Sequence, residues 1–313
     1  MDGSLNELDS LPGAAPGEAR GPEPLRYLAL GATLYLPATR ADLAAVLNRE
    51  ALPGLRSVIV CTEDAVHERD LAQALDNLRR VLPRLAPAAV RRFVRPRNPE
   101  VLARIMTFAG IERLDGLVLP KVDEASLPRY AEAAAGRPGL WLMPTLETEI
   151  VFSRTRLERL IDPLQGLANP ILCLRIGGND ILHRLGLKRP KRVTLYETPL
   201  RTIVHDLIVT FRPAGFELAA PVFEHLDSPR VLRAEVRLDL LHGLWSKTAI
   251  HPTQVPTIED EYRVPSADLD LAHGILAPDA PAVFQSHGQM VEPSTHSHWA
   301  ERVLERAAIF GAV

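Results

Sequence analysis

Five charged residues recur along the chain at intervals of about 26 to 33 residues, each just past a short apolar run. They are Glu63 after "SVIVCT", Arg95 after "RRFV", Lys121 after "LVLP", Glu147 after "MPTL" and Asp180 after "IGGN"; Asp64 follows Glu63 directly, and Lys247 and His251 stand in a later run. Any one of them alone reads as a helix cap or a solvated loop charge. A set spaced by one strand–helix unit reads differently, because parallel strands bring all such positions to one rim, where catalytic groups of barrel enzymes sit. Glu147 and Asp180, on consecutive units, could share one ion. Two hard oxygen ligands, with the other positions left to water and substrate, suit Mg2+, with Mn2+ as the alternative. Zinc would call for nitrogen or sulfur ligands, which do not accompany this pair. Arg95 and Lys121 would add positive charge beside the ion, the first as a planar fork for a carboxylate or enolate oxygen, the second as a point charge. A Schiff base on Lys121 or Lys247 is the competing chemistry. The stretch "LRIGGNDILHRLG" (174–186) leaves three uses open: a phosphate cradle, a plain turn, or a device that aims Asp180.

The elements that would position these groups alternate from residue 26 onward. Strands are predicted within 27–37, 57–63, 90–96, 116–121, 140–147, 171–177, 215–223 and 244–252, as near-continuous apolar runs of the kind that parallel strands covered on both faces show. Between them lie segments such as "RDLAQALDNLRRVL" and "PLRTIVHDLIVTFRPAG", with apolar residues at three- and four-residue spacing. Eight such units predict a (β/α)8 TIM barrel over 26–262, with a Rossmann-type open sheet as runner-up. The first strand is not followed by G-x-G-x-x-G, and no G-x-x-x-x-G-K-[ST] occurs, so the dinucleotide and P-loop readings lose their main support. Residues 263–313 read as helix, loop, helix: a C-terminal helical extension acting as a lid or crossing to another subunit. Residues 1–25, rich in Gly, Pro and acid, read as a disordered tail.

Bulk properties narrow the function. The 313 residues are 46% hydrophobic, enough for one large core, and 36 Lys and Arg against 39 Asp and Glu give a net charge of −3. That balance speaks against nucleic-acid and membrane-surface partners. No apolar run approaches the ~18 residues of a spanning helix. Cys61 and Cys173 form no metal-finger or C-x-x-C spacing and read as core residues of a cytoplasmic protein. The "HSH" at 296–298 reads as surface histidines and the three tryptophans as core or interface aromatics.

With those residues in view, the chain resembles the citrate lyase beta-subunit and malyl-CoA lyase family of the HpcH/HpaI aldolase superfamily, from about residue 30 to the C-terminus. "TEDAV" (62–66) is similar to that family's "LEDAV", "FVRPRN" (93–98) to "VRIN", "LVLPKV" (117–122) to "IVLPKV" and "LET" (146–148) to "IET". "GGNDIL" (177–182), "WSKTAIHPTQV" (245–255) and "HGQMVEP" (287–293) follow in the family's order. The resemblance is to a divergent carbon–carbon bond lyase branch associated with tellurium-resistance clusters. It implies Glu147 and Asp180 as Mg2+ ligands, Arg95 on the substrate carboxylate or enolate oxygen, and Glu63 and Asp64 holding metal waters or Arg95. It implies Glu292 as an acid/base, commonly reaching a neighbouring subunit's site, and a homotrimer or hexamer acting on a small carboxylic acid or acyl-CoA thioester. The chain departs from the family at Cys61, where an Asp is usual, at the extra residue in "VRPRN", and at "EIV" (149–151), where "ARG" is usual. The expected reaction is aldol or Claisen-type cleavage or condensation of a hydroxy acid. A metal-dependent thioester hydrolase or another enolate-forming enzyme, and a non-catalytic metabolite-binding protein, are the alternatives.

Overall fold

The computed structural model describes residues 27–87 and 89–313; the expected tail over 1–25 lies outside the described residues. Eight parallel strands follow one another: β1 (Ala32–Pro37), β2 (Ser57–Cys61), β3 (Arg91–Arg95), β4 (Gly116–Leu119), β5 (Trp141–Leu146), β6 (Leu174–Ile176), β7 (Leu218–Ala219) and β8 (Lys247–Ala249). Their order in the sheet is β7-β6-β5-β4-β3-β2-β1-β8, and a parallel bridge between Ala220 and Lys247 joins the two ends into a ring. Helices fill the connections, so the chain is a (β/α)8 barrel, and the open-sheet alternative fails on that closing bridge.

Strand side chains alternate between two cores, which is why the strands read as continuous apolar runs. Ile59, Phe93, Val118, Met143, Cys173 and Ala219 point inward and, with Trp245, fill the barrel. Leu34, Val58, Val60, Val94, Leu117 and Leu174 point outward against helix residues such as Leu43, Leu75, Leu78 and Leu102. A 3-10 turn, Tyr27–Leu30, plugs the N-terminal end of the barrel, where the Tyr27 hydroxyl accepts a bond from the Trp245 N–H at 3.0 Å.

The same alternation corrects the placement of Lys247. Ser246 and Thr248 take the inward phase, so Lys247 turns outward beneath the helix Pro229–Leu241, fully buried, and not onto the rim. Its Nζ lies 2.9 Å from Glu235 and 2.8 Å from Asp239; Arg189 bonds both Glu235 oxygens at 2.8 Å, and the Tyr196 hydroxyl donates to Asp239 at 2.8 Å. Both ends of this cluster are ion-paired, which leaves Lys247 no amine free for a carbonyl.

Beyond the barrel, the helices Ser266–Leu276 and Pro293–Phe310 pack on each other around Leu271, Ile275, Val291 and Val303. The expected loop between them carries a two-stranded hairpin, Phe284–Ser286 with Gln289–Val291. The last helix docks at the N-terminal end of the barrel: Arg302 ion-pairs with Glu217 and lies over the Trp245 ring at 5.4 Å, and Arg56 donates to the Ile309 carbonyl at 2.9 Å. A lid over the same barrel's rim would need this segment at the opposite end. Among the described residues no helix is long and apolar enough to cross a membrane.

Removing one partner of a buried ion cluster leaves the others uncompensated. Lys247→Met is expected to lower the free energy of unfolding by about 3–5 kcal/mol in urea titrations; a loss below about 1 kcal/mol would show that the cluster does not hold the helix to the barrel.

Candidate active site

The C-terminal ends of the strands enclose a cleft of about 250 Å³. Asp64, Arg95, Glu147 and Asp180, all named from the sequence, line it. Glu63 and Lys121 are tied to these residues through ion pairs, and Glu292 does not line the cleft. His251 is exposed beyond β8 and bonds Thr253 at 2.8 Å.

Arg95 ends β3 on the inward phase and is 9% exposed. Its Nη2 is gripped by Glu63 and, at 2.6 Å, by Asp64, while its Nε is buried without a hydrogen-bond partner among the described residues. Glu63 also holds the Lys121 ammonium, and the Lys121 backbone sits in the left-handed region at φ 50°. That conformation costs a side-chain-bearing residue about 1–3 kcal/mol. It lets one residue serve twice, since the Lys121 N–H donates to Glu147 Oε1 at 2.9 Å while its Nζ lies 3.7 Å from Asp180.

Glu147 follows β5 and is 2% exposed. Burial, only partly offset by Arg95 and aggravated by the nearby Asp180 carboxylate, pushes its pKa up to about 7. Asp180 lies in the first turn of the helix Gly178–Arg184, where a carboxylate meets the exposed N–H groups. The glycines before it supply room more than turn geometry: Gly177 has φ −86°, and a Cβ there would stand 2.0 Å from Glu147 Oε2. Of the three uses left open for this stretch, the structure favours the third, the aiming of Asp180, with Gly177 making room for Glu147 beside it.

This donor set suits a divalent ion. Four rim carboxylates, Glu63, Asp64, Glu147 and Asp180, outnumber the nearby cations Arg95, Lys121 and, one layer below, Arg175. Among the described residues no group of three His, Cys, Asp or Glu converges as a metal cage, so Glu147 and Asp180 would hold an ion with water and substrate completing its shell. Cys61 also lines the cleft, but burial raises its thiol pKa, which disfavours the thiolate.

The sequence did not single out Tyr35, Thr145, Arg175 and Thr248, which form the floor. Period-two alternation carried the signal: counting back two residues from Glu147 gives Thr145, and from Gly177 gives Arg175.

A barrel with acidic and basic groups gathered at its C-terminal rim defines a class of enzyme-like scaffold. The particular family follows from comparison with known proteins. The family model described as carbon–carbon bond lyase of the TIM-barrel fold matches residues 24–312, and the chain belongs to that family. Among curated proteins, a (3S)-malyl-CoA thioesterase of Cereibacter sphaeroides is 26% identical over 89% of this chain and 96% of its own length. Among solved structures, a citrate lyase from Burkholderia xenovorans superposes with a TM-score of 0.71 at 16% identity, covering 91% of this chain and 93% of that one. The protein CitE from Mycobacterium tuberculosis, in complex with magnesium, acetoacetate and coenzyme A, gives 0.67 at 23% identity, covering 90% and 99%. These structural likenesses establish the barrel fold, as expected from the sequence.

Gly177→Ala should drive a methyl group into Glu147. A loss of about tenfold or more in divalent-ion affinity is expected, read by Mn2+ paramagnetic resonance, with the fold retained by circular dichroism. Unchanged affinity would mean that Glu147 is not an ion ligand.

Proposed function

We propose that the protein is a Mg2+-dependent carbon–carbon lyase that cleaves or forms a hydroxy acid, or its CoA thioester, by aldol or Claisen-type chemistry at the rim. The observation that carries this reading is the meeting of Glu147 and Asp180 beside Arg95 in one cleft of a barrel from a carbon–carbon bond lyase family. The magnesium, acetoacetate and coenzyme A of the CitE complex support it.

Glu147 and Asp180 would hold the ion. When bound, Mg2+ supplies Lewis acidity to a substrate carboxylate and its adjacent oxygen, lowering the cost of the negative charge that develops as the carbon–carbon bond breaks. Arg95, which lines the cleft and whose guanidinium keeps an unpartnered Nε–H, would stabilise that charge, inside a site where a charged hydrogen bond is strong. Glu63 and Lys121 are positioning residues, one clamping Arg95 and the other bracing Glu147 through its backbone. Asp64, the most exposed carboxylate of the Arg95–Lys121 cluster, takes or relays the hydroxyl proton at the cleft mouth. Glu292 would do so only from a neighbouring copy in a homotrimer or hexamer, since its own chain places it outside the cleft.

Thioester hydrolysis is the second reading, favoured by the similarity to the Cereibacter thioesterase. Product analysis with malyl-CoA separates the two: carbon–carbon cleavage releases acetyl-CoA and glyoxylate, hydrolysis releases malate and free CoA. Glu147→Gln and Asp180→Asn are each expected to lower turnover by about 100-fold or more and to abolish Mg2+ dependence. Turnover retained in either variant would overturn the metal assignment.

A further inference from the structure

We propose that Arg175 determines substrate specificity: with Thr145 and Thr248 it forms a subsite on the cleft floor for a second carboxylate, so the acid acted on is a dicarboxylate. This rests on the proposed function for the placement of the first carboxylate at Glu147 and Asp180.

Arg175 lies in β6 and is 2% exposed. Its Nη2 donates to Thr248 Oγ1 at 2.6 Å, and its Nη1 approaches the Met143 thioether at 3.8 Å, a weak acceptor. Its guanidinium lies 5.5 Å from the centre of the Tyr35 ring, and that of Arg95 lies 5.8 Å from the same ring. The contrast with other buried arginines is informative. Arg95 is held by Glu63 and Asp64, and Arg189 by Glu224 and Glu235; Arg92, without a carboxylate partner for its side chain among the described residues, instead donates to the carbonyls of Leu47 and Ala86, acceptors that Arg175 lacks. Among the described residues Arg175 has no carboxylate within ion-pair distance. A buried guanidinium facing only a hydroxyl, a thioether and a ring is under-compensated.

Thr145 gives a second, independent sign. It pairs with Arg175 in the β5–β6 register, lines the same cleft, and its hydroxyl is buried without a hydrogen-bond partner among the described residues. Two under-used groups thus stand side by side on one wall. A planar guanidinium next to a hydroxyl matches the two coplanar oxygens of a carboxylate. Thr145 precedes Glu147 by two residues, a strand rise of about 6.6 Å, which a short diacid bound above can bridge.

The test is equilibrium binding of L-malate and L-lactate, hydroxy acids that differ by one carboxylate, to the Mg2+-loaded full chain, with Mn2+ titration in parallel. Wild-type protein is expected to prefer malate by about tenfold or more. Arg175→Met should erase that preference while lactate and Mn2+ affinities stay within about threefold. Thr145→Val, which removes only the hydroxyl, should reduce the preference partly, and it carries the test if Arg175→Met misfolds. Equal binding of the two acids by wild type, or equal weakening of both in the variants, would overturn the subsite. A malate preference in protein that binds no Mn2+ would support the subsite and overturn the metal-dependent function instead.

Discussion

Repulsion between carboxylates crowded onto one end of a parallel barrel is the constraint around which the rest of the site is arranged. Glu147 is almost wholly buried, and Asp180 adds to the cost of ionising it. Several otherwise unfavourable features answer that repulsion. Gly177 gives up its side chain so that Glu147 can pass, and Lys121 adopts a left-handed backbone that turns its N–H toward Glu147 and its ammonium toward Asp180. Glu63 accepts burial, which raises its pKa, in order to hold Arg95 and Lys121 together. Such features persist only where surrounding packing enforces them, and here the barrel interior does so.

The molecule holds a second dense charge cluster, and the comparison sharpens what is unusual about the first. Around Lys247 and Arg189, positive and negative groups meet within 3.1 Å between the barrel wall and its helices, closed off from the cleft. There each cation meets two carboxylates, and the cluster, which does not line the cleft, fixes structure. At the rim, carboxylates exceed cations, while Arg95 Nε and the Thr145 hydroxyl are left without partners. Unsatisfied polar groups in a cavity mark where a ligand completes the structure.

Much of this was legible in the sequence, for physical reasons. Strands covered on both faces must be apolar throughout, so "SVIVC" and "WLMPTL" announced themselves, and the regular spacing of Glu63, Arg95, Lys121, Glu147 and Asp180 followed from the repeat of the βα unit. Lys247 was misplaced because β8 is three residues long, too short to show which phase of the alternation faces inward. Arg175 and Thr145 were hidden by the same rule, since a polar residue inside an apolar run reveals its partners only once the register is known. The docking of the last helix at the far end of the barrel rests on Arg302 with Glu217 and Arg56 with Ile309, pairs separated by 85 and 253 residues, which no local pattern encodes.

The central claim is that one divalent ion is shared by Glu147 and Asp180 at the rim. The most direct measurement is anomalous diffraction from crystals soaked with Mn2+ and a small hydroxy acid. The expected result is a single strong peak between the two carboxylates, with the acid's oxygens reaching it. A peak elsewhere, or none at this position while the acid is bound, would contradict it.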